Sequence, residues 1–95
     1  MDLEFEGTVW EWRGPAPYFF VTVPEEESAL IQSAAAMVTY GWGMIPVEAE
    51  VGSSHWKTSL FAKDGGYVVP LRDAIRKAEG IAVDATITVR LSVAL

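Results

Sequence analysis

The sequence predicts a mainly β domain, a small closed barrel of about six strands with two capping helices, on three observations. Apolar and polar residues alternate with a period of two in several segments set at regular spacing along the chain. Between those segments stand Gly14-Pro15-Ala16-Pro17, Gly52-Ser53-Ser54 and Asp64-Gly65, residues that favour turns over strand interiors. Two short stretches carry helix start and stop signals instead. Six strands with two-residue periodicity favour closure, because a closed barrel has no edge left to pair with another chain. At 95 residues the chain fits one domain, residues 1–95.

The first strand runs from Leu3 to Arg13, with Leu3, Phe5, Gly7 and Val9 on one face and Glu4, Glu6, Thr8, Trp10 and Trp12 on the other. Two prolines interrupt the alternation, and Tyr18 to Val23 resumes it with aromatic and β-branched residues, giving a first hairpin. Pro24 followed by Glu25, Glu26 and Glu27 places a fixed φ and three carboxylates at the positive end of a helix. Leu30, Ile31, Ala34, Met37 and Val38 form its expected core stripe, and Gly41 offers a left-handed stop after Tyr40.

Met44 to Val51 alternates again, Ile45, Val47, Ala49 and Val51 against Pro46, Glu48 and Glu50, and a short turn joins it to a strand from His55 to Lys63. From Trp56 to Gly80 the chain reads as one unit of strand, turn, strand and helix. Asp64-Gly65 suits the two positive-φ positions of a tight hairpin turn into Tyr67-Val68-Val69. A short helix from Leu71 to Glu79 then buries Leu71, Ala74, Ile75 and Ala78, with Arg76 and Lys77 in its last turn and Gly80 beyond. Asp84 to Leu95 closes the chain as a long strand.

Composition narrows the function classes. Thirteen acidic against seven basic residues give a net charge of −6, so phosphate backbones and anionic membrane surfaces repel the domain, and no nucleic-acid or membrane partner is expected. The absence of cysteine excludes disulfides and thiolate chemistry and suits a cytoplasmic setting. The first residues, Met1 to Gly7, are acidic and alternating where a signal peptide is basic and then apolar.

Gly41-Trp-Gly-Met-Ile-Pro-Val47, Trp56-Lys-Thr-Ser-Leu-Phe61, Gly66-Tyr-Val-Val-Pro-Leu71 and Ala74-Ile-Arg-Lys-Ala-Glu-Gly80, in that order, resemble the bacterial family called domain of unknown function 1905. The resemblance implies a double-split β-barrel capped by helices, an architecture also adopted by certain DNA-binding transition-state regulators. It implies no catalytic residues. Its members occur alone or fused to a domain linked to bacteriocin protection. One departure is Val83-Asp84, where a glycine is expected before the acidic residue of the last strand.

Four tryptophans exceed what so small a core requires. One reading is a concave aromatic pocket in which Trp10, Trp12, Trp42, Trp56 and Tyr67 clasp a flat or apolar ligand and an indole or phenol supplies a hydrogen bond. The other, weightier on general grounds, is a second core layer beneath the helices. On the pocket reading, Trp56→Ala or Trp42→Ala would remove ligand binding and leave the protein folded.

Arg72 and Arg76, four apart, invite an anion between them, either an acidic group of a ligand or, more commonly, an internal carboxylate such as Asp73 or Asp84. His55 shares a strand face with Lys57 and Ser59, yet nothing in the sequence orients it as a base, and paired glutamates at 4 and 6 or 48 and 50 read as solvated strand faces rather than metal ligands. The sequence therefore points to a non-enzymatic barrel without cofactor or metal. It would bind a small apolar or aromatic ligand through Trp10, Trp12, Trp42, Trp56, Tyr67 and Arg76. The alternative is a protein interaction module, homodimeric or otherwise, anchored by exposed Trp and Tyr.

Overall fold

The computed structural model describes residues 1–14, 18–35 and 44–93. Alternation becomes strand throughout: β1 (Asp2–Trp12), β2 (Tyr18–Thr22), β3 (Ile45–Val51), β4 (Ser54–Lys63), β5 (Gly66–Leu71) and β6 (Thr86–Val93), with α1 (Glu25–Ala35) between β2 and β3 and α2 (Asp73–Ala78) between β5 and β6. The strands close in the order β1-β2-β5-β4-β3-β6, every neighbouring pair antiparallel. The expected mainly β, closed six-stranded barrel with two helices is the fold found.

The alternating apolar faces turn inward together. Phe5 and Val9 of β1 meet Val21, Val47, Ala49, Leu60, Val69, Val89 and Leu91 in one cluster that fills the barrel. β1 and β6 pair from Asp2↔Ser92 to Thr8↔Thr86, and β3 and β4 pair over their whole shared length, so these four strands make a continuous wall. Gly7 sits where β1 presses on β2, and a Cβ there would meet the Val21 side chain at 2.5 Å. The Asp64-Gly65 turn has φ of 52° and 80°, the left-handed pair required by a type I′ hairpin.

Three boundaries differ from the sequence expectation. Ile31 is buried as expected, but Leu30 is exposed and Ala34 only half-buried, and α1 adds Ser28 and Ala35 to its buried face. The expected stripe continued through Met37 and Val38 to a stop at Gly41, positions outside the described residues. Leu71 belongs to β5, paired with Phe19, so α2 begins two residues later than expected and leaves Ala74 and Ala78 exposed, with Ile75 packed against the core. The last strand starts at Thr86 rather than Asp84, because Ala82 to Ala85 form a turn closed by the Ala85 N–H donating to the Ala82 carbonyl at 3.2 Å. Asp84 adopts φ +71° there, so the backbone conformation that favours glycine falls on the acidic residue itself.

Ser28 explains how α1 docks. Its hydroxyl donates to the Val23 carbonyl at 3.2 Å and accepts from the Tyr67 N–H at 3.3 Å, tying the helix to the ends of β2 and β5. Removing the hydroxyl leaves a partly buried N–H without that acceptor, a loss of about 1–2 kcal/mol. Ser28→Ala is therefore expected to lower the free energy of unfolding by that amount, read as a lower urea midpoint at an unchanged slope of the transition. A midpoint equal to the wild type's would mean that the helix docks through Ile31 and Ala35 alone.

Candidate functional site

The barrel wall is not uniform. The β4–β5 ladder covers only Lys63↔Gly66, Ala62↔Tyr67 and Phe61↔Val68, after which β5 continues with β2 as its paired neighbour. Pro70 falls just past that point, and a proline has no N–H to offer a ladder. Side chains bridge the seam instead. The Trp56 indole N–H donates to the Pro70 carbonyl at 3.2 Å, and Arg72 Nη2 donates to the Lys57 carbonyl at 3.0 Å.

A groove of about 840 Å³ opens at this seam. Its rims are outward-facing residues, Phe20 and Pro70 on one side and Phe61 on the other, and through it the inward-facing Thr58 and Leu71 become part of the lining. Tyr18 and Phe19 extend it toward the end of β2, and Arg72, Asp73 and Arg76 close it from α2 and the residue that precedes that helix. Register places the rings. Trp10↔Phe20 and Trp12↔Tyr18 are cross-strand partners whose ring centroids lie 5.1 and 5.9 Å apart, and Phe61 meets Phe20 edge-on at 6.4 Å. The result is an aromatic stripe across the outer face of β1, β2 and β4, with Trp12 and Tyr18 about half exposed at its far end.

Arg76 stacks its guanidinium 4.1 Å over the Phe19 ring and donates from Nη2 to Asp73 Oδ1 at 2.8 Å, while Lys77 Nζ takes Asp73 Oδ2 at 3.0 Å. The Arg76 Nε is buried and has no hydrogen-bond partner. Hydrogen bonds from Lys77 and then from Arg76 hold the Asp73 carboxyl below the usual carboxylate range. A carboxylate whose pKa is depressed on folding stabilises the folded state fully above its unfolded value, and the contribution disappears as pH falls through the folded one. Asp73→Asn is accordingly expected to flatten the acid limb of stability below about pH 4, read from urea midpoints across pH. Identical acid limbs for the two proteins would remove Asp73 from this role.

The residues singled out in the sequence do not share one pocket. Arg76 lines the groove, and Trp10 and Trp12 buttress it by stacking on Phe20 and Tyr18. Trp10 is further held by its indole N–H on Thr22 Oγ1 at 2.9 Å and by Lys63 Nζ, 5.5 Å from its ring. Trp56 is a core residue, 6 % exposed, and is not among the residues that line the groove. Tyr67 packs against the core and borders a different cleft, between α1 and the β4–β5 turn. Trp42 lies outside the described residues. Phe19, Phe20, Phe61, Pro70 and Thr58 were not singled out. The available signal was Leu60-Phe61, two adjacent large apolar residues in an alternating strand, one of which has to face outward.

The other candidates resolve into surface chemistry. Arg72 precedes α2 and is not on a shared helix face with Arg76, whose anion is the internal Asp73. His55 is exposed on β4 opposite Glu50, beside a depression where Arg90 bridges Glu4 and Glu50. Among the described residues no group of three His, Asp or Glu gathers to hold a metal, and no helix is long and apolar enough to cross a membrane.

A search of curated proteins finds no match to the chain. The model of one family, described as a domain of unknown function, matches residues 5–91, from within β1 to within β6, and so takes in both helices and the four strands between. With the match covering nearly its whole length, the chain belongs to the DUF1905 family.

Proposed function

We propose that this domain is a non-enzymatic binding module that holds a small, flat, apolar or aromatic ligand in the groove at the β4–β5 seam. The observation that carries this reading is the convergence of outward-facing Phe20, Phe61 and Pro70 on an opening whose deeper lining is Leu71 and Thr58. Ligand sites are concave, mostly apolar and furnished with a few polar groups, and this lining has that chemistry. The barrel interior is already filled by its own side chains, so a ligand binds on the wall rather than inside it. A cysteine-free chain suits a cytoplasmic setting for such a module.

Saturation-transfer NMR of the folded protein with a panel of one- and two-ring aromatic compounds tests the reading. Saturable binding of two-ring compounds is expected, and a panel that yields no binder at millimolar concentration contradicts it.

Trp12 and Tyr18 carry the aromatic surface past the groove, at 45 % and 56 % exposure. That favours a second reading, a protein interaction module or homodimer anchored on these two rings, since Trp and Tyr dominate interface hot spots. Sedimentation velocity separates the two: a dimer that Trp12→Ser returns to monomer supports the second reading, and a monomer at all concentrations removes the homodimer.

A further inference from the structure

Depressions on the described surface differ in charge. The one around Arg90 has four carboxylates, Asp2, Glu4, Glu48 and Glu50, against that one arginine. The cleft beside α1 has Glu25 and Asp64 against Lys63. The aromatic groove, unlike these two, has more cations than anions, Arg72 and Arg76 against Asp73, in a chain of net charge −6. A local positive excess within an acidic protein selects for anions at that place.

Arg76 sharpens the selection. A guanidinium presents Nε–H and Nη2–H along one edge, spaced to receive both oxygens of a carboxylate. Here Asp73 occupies Nη2 with one oxygen and gives the other to Lys77, so the edge is half used and the buried Nε–H is left without an acceptor. An unsatisfied buried donor costs free energy that an incoming acceptor recovers. The guanidinium lies 4.1 Å over the Phe19 ring, at the end of the groove lined by Phe20 and Phe61.

We infer that the ligand of this groove is an aromatic carboxylate, its ring lying against Phe20 and Phe61 and its carboxylate taking the Nε–Nη2 edge of Arg76 in exchange for Asp73, which remains with Lys77. The inference rests on the groove reading proposed above. It adds the ionic class and assigns Asp73 as an internal competitor for the ligand's place.

The test compares 2-naphthoate with 2-naphthamide, nearly the same shape with and without the charge, by isothermal titration calorimetry on wild type, Arg76→Gln and Asp73→Asn. Wild type is expected to bind the naphthoate at least tenfold more tightly than the amide. Arg76→Gln is expected to erase that preference while retaining weak binding of both, and Asp73→Asn to tighten naphthoate binding severalfold. Equal affinity of wild type for the two compounds overturns the carboxylate inference and leaves the groove intact. A preference that survives Arg76→Gln in a protein of unchanged thermal midpoint overturns the assignment to Arg76. Binding of neither compound takes down the groove itself.

Discussion

Trp56→Ala is expected to lose about 3–5 kcal/mol of stability, the range for removing a large aromatic side chain from a packed core. For a domain of this size that is a large part of the total, which is on the order of 5–15 kcal/mol. Trp56 is 6 % exposed, packs within the main cluster and spends its indole N–H on the Pro70 carbonyl across the seam. The substitution therefore opens a cavity and leaves a carbonyl without its donor in one step. Trp56→Phe separates the two effects: most of the ring volume stays, the hydrogen bond goes, and a loss of about 1–2 kcal/mol is expected. Urea unfolding followed by circular dichroism measures both. A Trp56→Ala protein within 1 kcal/mol of wild type would return Trp56 to the surface and revive its sequence-based assignment as a ligand residue.

Phe61→Ala is expected to do the reverse. Phe61 is 39 % exposed and its main ring contact is the edge-on approach to Phe20, so its removal costs stability only about 1 kcal/mol. It is, however, one wall of the groove. Truncating a ring that lies against a bound aromatic ligand is expected to weaken 2-naphthoate binding more than tenfold, the scale of an interface hot spot. Calorimetric titration alongside a thermal melt reads both quantities. A variant that keeps wild-type affinity would show that the ligand does not lie against Phe61.

The contrast between these two aromatic residues explains what was legible in the sequence. Strand alternation and turn chemistry are local, so the strands were readable where Val, Ile and Leu alternate with polar residues and where Asp64-Gly65 demands positive φ. Leu71 reads as helix in the sequence and is strand in the structure because it satisfies two periods at once. It follows a proline and precedes Ile75 by four residues, as a helix start does, but it also lies on the same strand face as Val69, and pairing with Phe19 decides the matter. Leu30 reads as core because hydropathy ranks leucine there, whereas Ser28 carries no hydropathy signal and is buried at little cost because it satisfies both a carbonyl and an N–H.

The site was harder to read for a different reason. Alternation says which face a ring occupies but not which rings across the barrel become neighbours. Phe20 and Phe61 are distant in sequence, and they meet only because β5, which pairs with β2 on one side and β4 on the other, sets both registers. The seam itself depends on where the β4–β5 ladder stops, and Pro70 was its only local sign. Arg76 is legible from its spacing of four from Arg72 within the segment Ala74 to Gly80, but its half-used edge and its stack on Phe19 are tertiary facts.

The location of the ligand, on the wall at the seam rather than within the barrel, is tested most directly by the amide and arginine Nε chemical-shift map of wild-type protein titrated with 2-naphthoate. Shifts are expected to concentrate on Phe20, Thr58, Phe61, Leu71 and the Arg76 Nε–H. Shifts centred instead on Val9, Val89 and Leu91, deep in the barrel core, or on the cleft formed by Ser28 and Tyr67, would contradict it.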